Sequence, residues 1–438
     1  MNSIYRLTFF LLVLSVLVQL NLDIINPVDF TFVILLILNS IFLFSYSRHP
    51  ISIYRNVQLF FSFFLILAPF IQFKGSIVFW GSKSFSQHDY LICNIILILV
   101  ILLYSISYYF LKNRFYFLKF RKNNVNFNKY LFKYSRNKLI LLYLISLSCF
   151  YITLSNNNFS LLSLLFRGGE FSDMSSDISG PLWLFSQFFI RPLPIIIFLS
   201  YYLVNNKFNI HFVIFGMIGI VTAFPLGMAR FSVAALYIPL FIVFFPFLKR
   251  KFNFTIVFIF GFLFLFPFLD RFRRFTSETN VKFGLDFDMF EEGHFDTYQS
   301  LLSVLKYDIV TYGNQLLGVF LFWIPRSLWP AKPIGSGAYS AGLTNLEFHN
   351  ISMNYFGEGY INFGYLGIFL FTFFLAYFSA YLDVKFIKLS LNNYLFPLWY
   401  YIVVGFIFFI LRGDLLSSFA YFIGFSVGFL LIYKILNY

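Results

Sequence analysis

Long uninterrupted apolar runs dominate the chain, and polar positions are gathered into the segments between them. A helix needs about 20 mostly apolar residues to cross a hydrocarbon core about 30 Å thick, and there it satisfies its own backbone hydrogen bonds. No small-residue cleavage site follows the first run, so we expect it to be retained rather than removed as a signal peptide. The pattern predicts twelve transmembrane helices, at 6–22, 28–46, 56–74, 90–111, 139–155, 182–204, 208–225, 231–248, 253–269, 364–382, 394–411 and 416–434.

The composition indicates the same class of protein. Of the 438 residues, 60% are apolar and 11% are charged, and the mean hydropathy is +0.79. A soluble domain carries about 45–50% apolar and about 25% charged residues, so this chain has too little polar surface to face water on all sides. A soluble enzyme, a coiled coil and a disordered chain are therefore excluded. Cys93 and Cys149 lie within apolar runs, which excludes a disulfide framework and a cysteine metal cluster.

The charges between the predicted spans indicate the orientation. With a cytoplasmic N-terminus, the tract 112–138 and the other short basic loops fall on the cytoplasmic side, as the positive-inside rule requires. That side then holds 19 of the 32 Lys and Arg residues but only one of the 18 acids, Asp383. We therefore expect both termini in the cytoplasm. The formal charge of +14 is then a signal of topology and not a nucleic-acid surface.

The predicted spans divide the chain into three parts. A nine-span bundle covers 1–269, a large external segment with interfacial or re-entrant helices covers 270–363, and a three-span bundle covers 364–438. The expected fold is an all-α membrane bundle with one large external loop. No internal repeat relates the two halves, which disfavours a transporter built from inverted repeats. Functional chemistry is therefore expected on the external side.

Several arginines lie where the positive-inside rule disfavours them. Arg273 and Arg274 follow the ninth span, and a guanidinium binds phosphate oxygens through two parallel hydrogen bonds, so a phosphate clamp competes with a simple headgroup contact. Arg167 forms either a second basic site or part of a turn. Arg191 lies inside the sixth span beside two prolines, where a charge is costly unless it is paired or functional.

Known motifs restrict the chemistry further. Asp286 and Asp288 form a D-x-D pair, which nucleotide-sugar enzymes use to hold a metal, but three residues recur by chance and nucleotide sugars are confined to the cytoplasm. The acids there equally suit the N-terminus of a helix that is expected to begin near Asp296. The sequence contains neither H-E-x-x-H nor a P-loop, so no metal and no other cofactor is expected.

The external segment contains a half-length apolar run that ends in a proline-rich turn, at 318–337. It presents Arg326 and Lys332 between two tryptophans, which indicates an interfacial or re-entrant element with an aromatic anchor. About twenty residues later, Glu358 lies between two glycines and precedes the tenth span. An acid so near a long apolar helix is costly unless it is solvated or paired.

Five segments of the chain are similar to one family. The run "FWIPRSLWPAKPIGSG", followed by "GEGYINFGYLG", resembles the Wzy-type O-antigen polymerases, which join oligosaccharide repeat units in bacterial envelopes. The segments "FDTYQSLL", "GMARFSVAAL" and "LRGDLL" are similar to members of the same family. These motifs cover about 225–420, the topology extends the resemblance to the whole chain, and no residue role is carried over before 150.

The resemblance implies an enzyme of the bacterial inner membrane, with a scaffold similar to that of the GT-C-like polymerases and ligases. It implies that glycans linked to undecaprenyl diphosphate are both donor and acceptor. The growing chain would move from its lipid diphosphate onto a sugar hydroxyl of another repeat unit at the periplasmic face. A chain-length regulator protein is the partner that the resemblance suggests.

This chemistry needs three kinds of side chain on the external face. The leaving diphosphate needs fixed cations, the acceptor hydroxyl needs a carboxylate or an imidazole within reach, and the sugars need aromatic platforms. The candidates are Arg230, Arg326, Lys332, Arg412, Arg191, Arg273, Arg274 and Arg167 for the diphosphate, Glu358 and then Asp296 and His349 for the proton, and Trp323, Trp329 and Tyr360 for the sugars. Arg230 and Arg412 equally suit headgroup anchors, and Glu358 equally suits a structural partner of an arginine.

Two other functions remain open. An O-antigen ligase moves the finished chain onto the lipid A core with a similar scaffold, and only the two distinctive motifs favour the polymerase. A flippase for lipid-linked oligosaccharides is a transporter and would need two similar halves and charges deep within several spans. This sequence has one deep arginine and no repeat, which disfavours the flippase.

Overall fold

The computed structural model describes residues 26–45, 49–120, 135–166, 181–265, 288–390 and 395–437. These residues are mostly helical, and no strand occurs among them. The helices long and apolar enough to cross a membrane are Ile53–Lys74, Gln87–Tyr116, Arg136–Ser155, Trp183–Asn205, Ile210–Gly227, Tyr355–Leu389 and Leu415–Asn437. Shorter apolar helices are Pro27–Leu43, Arg230–Phe244, Asn253–Phe264 and Phe396–Arg412. The chain is a helical membrane protein, as the apolar runs predict.

Eleven of the twelve predicted spans coincide with one of these helices. The first, 6–22, lies outside the described residues. Four of the eleven helices have 10–17 residues, so the number of crossings stays a prediction. The helix at the third predicted span illustrates how such a run folds. The Ser52 hydroxyl caps its start by accepting the Arg55 N–H at 3.2 Å, and a π-helical stretch, Phe61–Leu67, lies in its middle.

The chain forms two compact units, and the first comprises Met1–Asn123, Phe287–Val384 and Ile407–Ser418. Polar contacts connect its apolar helices. Tyr54 stacks on Tyr108 with ring centroids 4.3 Å apart, and the Tyr108 hydroxyl donates a hydrogen bond to Asp383 at 2.6 Å. Asp383 also accepts the backbone N–H of Ile53 at 3.0 Å. Such bonds satisfy buried polar groups where no water is available to do so.

The helix Tyr355–Leu389 is broken at Phe363 and Gly364, whose backbone angles are not helical. Gly364 has a φ of +61°, which residues with a side chain rarely adopt. Across the break, a Cβ atom on Gly359 would lie 2.7 Å from the carbonyl oxygen of Gly367, so the two backbones approach closely. The break separates a short first segment, which carries Glu358, from the long apolar helix. It falls where the tenth span was predicted to begin.

Residues 288–354 of the first unit form a series of short helices. Their bounds are Asp288–Glu291, Gly293–Phe295, Thr297–Lys306, Asn314–Phe320 and Ser336–Leu343. The backbone N–H of Thr311 donates to the Ile361 carbonyl at 2.6 Å, and the N–H of Leu316 donates to the Asn362 side chain at 2.8 Å. These bonds attach the half-length helix Asn314–Phe320 to the segment that carries Glu358.

The second unit comprises Asn124–Asp286, Lys385–Phe406 and Phe419–Tyr438. Its described helices include Arg136–Ser155, Leu161–Leu165, Pro181–Phe185, Ser186–Ile190, Leu193–Asn205, Ile210–Thr222, Arg230–Phe244 and Asn253–Phe260. A Cβ atom on Gly219 would lie 3.1 Å from the Cα atom of Ile195, so the helices on either side of Asn206 pack with their backbones close together. Small residues allow this kind of close helix packing in membranes.

Candidate active site

Glu358 and Asp414 form a carboxylate pair in the first unit. Glu358 is fully buried, and its Oε2 atom accepts a hydrogen bond from the Ser336 hydroxyl at 2.7 Å. Its Oε1 atom accepts the backbone N–H of Leu415, the residue after Asp414, at 2.8 Å. The two carboxylates also interact electrostatically. Because two neighbouring buried carboxylates are costly to ionise together, the pair favours holding one proton.

Asp414 lies in the turn between the helices Phe396–Arg412 and Leu415–Asn437. Its carboxylate accepts the N–H of Gly337 at 3.1 Å and the N–H of Leu416 at 3.0 Å. Burial raises the pKa of the Asp414 carboxyl above its ordinary value, and the backbone donors oppose that rise by stabilising the charged form. Asp414 is half-buried, whereas Glu358 is fully buried.

Two glycines make room for this cluster. A Cβ atom on Gly335 would collide with the carboxylate of Asp414, and one on Gly337 would collide with the carbonyl oxygen of Ile351. Ser336 lies between these glycines and begins the helix Ser336–Leu343. The segment "GSG" therefore brings a hydroxyl and two backbone N–H groups against two carboxylates, which a bulkier sequence could not do.

An ion pair joins Asp296 to Arg412. Arg412 Nη2 lies 3.5 Å from Asp296 Oδ1, and Arg412 Nε donates to the His294 carbonyl at 2.7 Å. Asp296 also accepts hydrogen bonds from the Ser352 hydroxyl, the Ser352 N–H and the indole N–H of Trp80. These donors satisfy the buried carboxylate, and the role of Asp296 as a proton acceptor stays a prediction. Arg412 remains 31% exposed and can contact a ligand from its free side.

A shallow pocket lies beside Asp296. It is open to solvent, and its lining residues are Phe79, Trp80, Ser82, Phe85, Asp296, Gln299, Ser300, Ser303, Leu346 and Ile351. Gln299 fixes one wall, because its side chain accepts the Phe79 N–H at 3.1 Å and donates to the Ile77 carbonyl at 2.8 Å. The combination of aromatic rings with serine hydroxyls suits a polar ligand such as a sugar.

Arg326 and Lys332 form a cation pair on the loop that precedes Ser336. Arg326 donates through Nη1 to the Lys332 carbonyl at 2.6 Å and through Nη2 to the Pro333 carbonyl at 3.1 Å. Lys332 Nζ donates to the carbonyls of Phe322 and Ile324. Burial, and then the neighbouring Arg326 charge, lowers the pKa of Lys332. Both cations therefore brace their own loop, and the Arg326 fork that the clamp prediction requires is engaged with backbone carbonyls.

Two other predicted diphosphate ligands, Arg191 and Arg230, lie in the second unit. Arg191 is buried in the second unit, where Nε donates to the Thr222 carbonyl at 3.1 Å and Nη2 to the Leu164 carbonyl at 3.2 Å. These bonds satisfy carbonyls at the ends of helical segments, which is a structural role. Arg230 is half-buried at the first residue of the helix Arg230–Phe244 in the same unit. Arg167, Arg273 and Arg274 lie outside the described residues.

The predicted aromatic platforms and the predicted imidazole have different surroundings. Trp323 is 68% exposed and Trp329 is half-buried, so both rings remain accessible. Tyr360 is buried and its hydroxyl donates to Asp308 at 2.7 Å, so its ring does not offer a stacking face, contrary to the prediction. His349 is exposed, and no contact places it at the carboxylate pair.

The described residues contain no group of three or more His, Cys, Asp and Glu side chains that could hold a metal ion. Asp288 is exposed in a short helical turn, and Asp286 lies outside the described residues. One pattern of serine hydrolases, G-x-S-x-G, does occur at 424–428. It lies within the continuous helix Leu415–Asn437, where the Ser426 hydroxyl accepts the Trp399 indole N–H at 3.3 Å, and not on a sharp turn after a strand.

Comparisons with models of protein families, with curated proteins and with solved structures found no match for this chain. The site is therefore interpreted from its own geometry. Ser336, Glu358 and Asp414 contact one another directly or through backbone, and Asp296 pairs with Arg412, which lies two residues before Asp414 in the chain. These residues come from four of the five segments on which the sequence analysis based its expected resemblance. The fifth, 227–236, lies in the second unit.

Sequence reasoning assigned no role to Asp414 or Ser336. Both occur in segments that were recognised as similar to the family, "LRGDLL" and "PAKPIGSG". Asp414 carried one usable signal, since it is an acid placed between two long apolar runs at a predicted external boundary. Ser336 carried a weaker one, since its flanking glycines indicate close backbone approach.

Proposed function

We propose that this chain is an O-antigen polymerase that joins undecaprenyl-diphosphate-linked repeat units at the periplasmic face of the inner membrane. The observation that carries the proposal is the meeting of four dispersed segments at one carboxylate cluster. Segments 295–302, 322–337, 357–367 and 411–416 each resemble the Wzy-type family, and each supplies a residue to the cluster or to its ion pair. A shared functional site explains why these four segments carry the resemblance.

The proposed reaction is a glycosyl transfer. A sugar hydroxyl of one lipid-linked repeat unit attacks the anomeric carbon of the growing chain, and the bond from that carbon to the lipid diphosphate breaks. The hydroxyl proton passes to the carboxylate pair, and the electron pair of the broken bond leaves with the diphosphate. Asp414 is the proposed acceptor because it is partly exposed, and burial, which raises its pKa, makes it a stronger base. Glu358 is buried behind it and holds the Ser336 hydroxyl in place.

Arg412 is the proposed cation for the leaving group. It lies two residues from Asp414, its position is fixed by Asp296 and the His294 carbonyl, and part of its guanidinium is exposed. A positioned positive charge stabilises the negative charge that develops on a leaving diphosphate. The roles of Arg230, Arg167, Arg273 and Arg274 stay predictions. The activated diphosphate supplies the driving force, so the proposal requires neither a nucleotide nor a metal.

The pocket beside Asp296 is the proposed position for a sugar of the substrate. Trp80 and Phe85 line it, and Ser303 on the helix Thr297–Lys306 adds a hydroxyl. Trp323 and Trp329 remain candidate platforms on the neighbouring loop. Undecaprenyl-diphosphate glycans are the proposed donor and acceptor, with a chain-length regulator protein as a proposed partner.

Deletion of the gene in the bacterium that carries it distinguishes the three candidate functions. Loss of a polymerase leaves single repeat units on the lipid A core. Loss of a ligase leaves polymer on undecaprenyl diphosphate and none on the core, and loss of a flippase leaves single lipid-linked repeats on the cytoplasmic side. A ladder of normal length in the deletion strain, or either of the other two outcomes, contradicts the proposal.

Complementation then tests the site. Glu358→Gln and Asp414→Asn keep the size of each side chain but remove its charge. Loss of a general base slows such reactions by roughly 10²–10⁴-fold, so each variant should give mostly single repeats at normal protein abundance. Glu347→Gln is the matched control, since Glu347 is an exposed carboxylate of the same unit, and it should restore the full ladder. A full ladder from both site variants would exclude the carboxylate pair from the reaction.

A further inference from the structure

The loop between the helices Asn314–Phe320 and Ser336–Leu343 has an unusual combination of charge and apolar surface. Arg326 is exposed and Lys332 is half-buried, and among the described residues neither forms an ion pair with a carboxylate. The pair therefore retains two positive charges next to each other. A pair of adjacent like charges is unfavourable in isolation, so the arrangement indicates an anionic ligand.

The same loop exposes large apolar side chains. Leu328 is 78% exposed, Trp323 is 68% exposed, and Phe320, at the end of the preceding helix, is also exposed. Ile334 continues this surface on the other side of the cation pair. Apolar side chains concentrated on one loop are costly in water, and a patch of this kind marks an interaction surface. Charge beside a tryptophan and aliphatic side chains matches the membrane interface, where both kinds of group find partners.

The hydrogen bonds of the loop make this surface rigid. Arg326 connects to the carbonyls of Lys332 and Pro333, and Lys332 connects back to the carbonyls of Phe322 and Ile324. Arg326 therefore bonds to the later part of the loop and Lys332 to its earlier part, so the two side chains join the two halves of the loop. The carbonyls orient the side chains without neutralising their charge, so the loop presents a fixed positive surface between apolar side chains.

We propose that this loop, residues 321–334, is seated in the lipid headgroup layer and that Arg326 and Lys332 hold the phosphate of an anionic phospholipid of the bilayer. Leu328 enters the acyl boundary beside that phosphate. This assignment does not depend on the proposed polymerase activity.

The engaged Arg326 fork distinguishes a phospholipid from the substrate diphosphate. A clamp for one diphosphate would present free, parallel Nη donors for bidentate binding. Each Nη atom of Arg326 already donates one of its two N–H groups to a backbone carbonyl, which leaves Nε–H, one N–H on each Nη atom and the combined charge of the pair for an anion. That arrangement suits an exchangeable headgroup phosphate, for which position at the membrane surface matters more than bidentate geometry.

The test uses the full chain with a cysteine at Ser327, an exposed residue of the loop, labelled with an environment-sensitive fluorophore in vesicles. The native Cys93 and Cys149 are buried and provide the labelling blank. Two vesicle preparations contain equal amounts of phosphatidylglycerol and phosphatidylcholine, and in each preparation only one of the two lipids is brominated. Quenching of the fluorophore is compared between the two preparations. Each basic residue near an anionic surface favours an anionic lipid by about fivefold. The Arg326–Lys332 pair should therefore enrich phosphatidylglycerol over phosphatidylcholine around the loop by up to about 25-fold.

The double variant Arg326→Gln/Lys332→Gln should abolish the preference while the label stays shielded from aqueous iodide. Lys306→Gln is the control, because Lys306 pairs with Asp89 at 3.5 Å and should not contribute. If the double variant does not fold, the parent itself is measured in high salt, which must weaken the phosphatidylglycerol preference. A label open to iodide, equal quenching by both lipids, a preference insensitive to salt, or displacement of label quenching only by added undecaprenyl diphosphate would each overturn the proposal.

Discussion

The crossing of Gly359 and Gly367 gives the sharpest test of how the structure positions Glu358. A Cβ atom on Gly367 would overlap the carbonyl oxygen of Gly359, lie 2.6 Å from its carbonyl carbon, and lie 3.1 Å from Phe363 Cβ. The first two contacts are with backbone, which cannot rotate away as a flexible side chain could. Gly367→Ala should therefore force apart the two helical segments on either side of the Phe363–Gly364 break.

The expected magnitude follows from these contacts. Overpacking a tight interior costs about 1–3 kcal/mol, and a clash with backbone atoms belongs at the upper end of that range. Gly342→Ala is the matched control, because nothing lies within 4 Å of its Cβ position in the helix Ser336–Leu343. Alanine is favoured over glycine in a helix by about 0.5–1 kcal/mol, so this control should be slightly stabilising. The two substitutions are chemically identical and should act in opposite directions.

The assay is thermal unfolding of the purified full chain in detergent, followed by the loss of the monodisperse peak on gel filtration. Because such unfolding is commonly irreversible, the comparison uses midpoints at one heating rate. Surface glycan ladders from complemented cells give a second readout, since displacement of Glu358 should shorten the polymer. If Gly367→Ala matches the parent in both assays, or if both glycine variants lose stability equally, the close crossing is wrong.

Three further predictions concern individual side chains. Arg412→Ala should lower the free energy of unfolding by about 1–3 kcal/mol, because it leaves the buried Asp296 carboxylate without its cation. In a double-mutant cycle, Arg412→Ala/Asp296→Asn should recover part of that loss. Burial raises the pKa of Asp414 from an ordinary value of 3.8, so the folded chain binds a proton more tightly than the unfolded chain. Its contribution to stability should therefore fall as pH rises from about 3.8 through the raised value, and Asp414→Asn should flatten this part of a pH series of unfolding midpoints. Cys93 and Cys149 are both buried, so maleimide should label neither in the folded chain but both after denaturation, and rapid native labelling would contradict the packing.

Much of the secondary structure follows from the sequence by itself. A long apolar run has few alternatives in lipid, since only a helix satisfies its backbone without partners from elsewhere in the chain. Eleven predicted spans therefore coincide with helices. The tenth span was predicted to begin at 364, where the helix Tyr355–Leu389 is broken, but the break itself was not predicted.

The sequence also indicated which segments matter, but not what each residue does there. The sequence places Arg326 and Lys332 on an external loop whether they bind a diphosphate or stabilise the loop itself. Only the structure shows that both side chains donate hydrogen bonds to carbonyls of their own loop. Arg191 was predicted to be paired or functional. It donates to the carbonyls of Thr222 and Leu164, which are distant in the sequence, and to the side chain of Gln187, one helical turn away. Tyr360 has the side chain of a sugar platform, but burial removes its ring from any ligand.

The carboxylate pair was decided by tertiary structure alone. Glu358 and Asp414 are 56 positions apart, and Ser336 lies 22 positions before Glu358. Hydropathy reports where each segment lies relative to lipid, because that preference depends on the residues of the segment itself. Which turn meets which helix depends instead on close packing between segments, set by features such as the absence of a Cβ atom at Gly335 and Gly337. The order of residues along the chain does not show which segments are in contact, so the carboxylate pair becomes evident only in the folded structure.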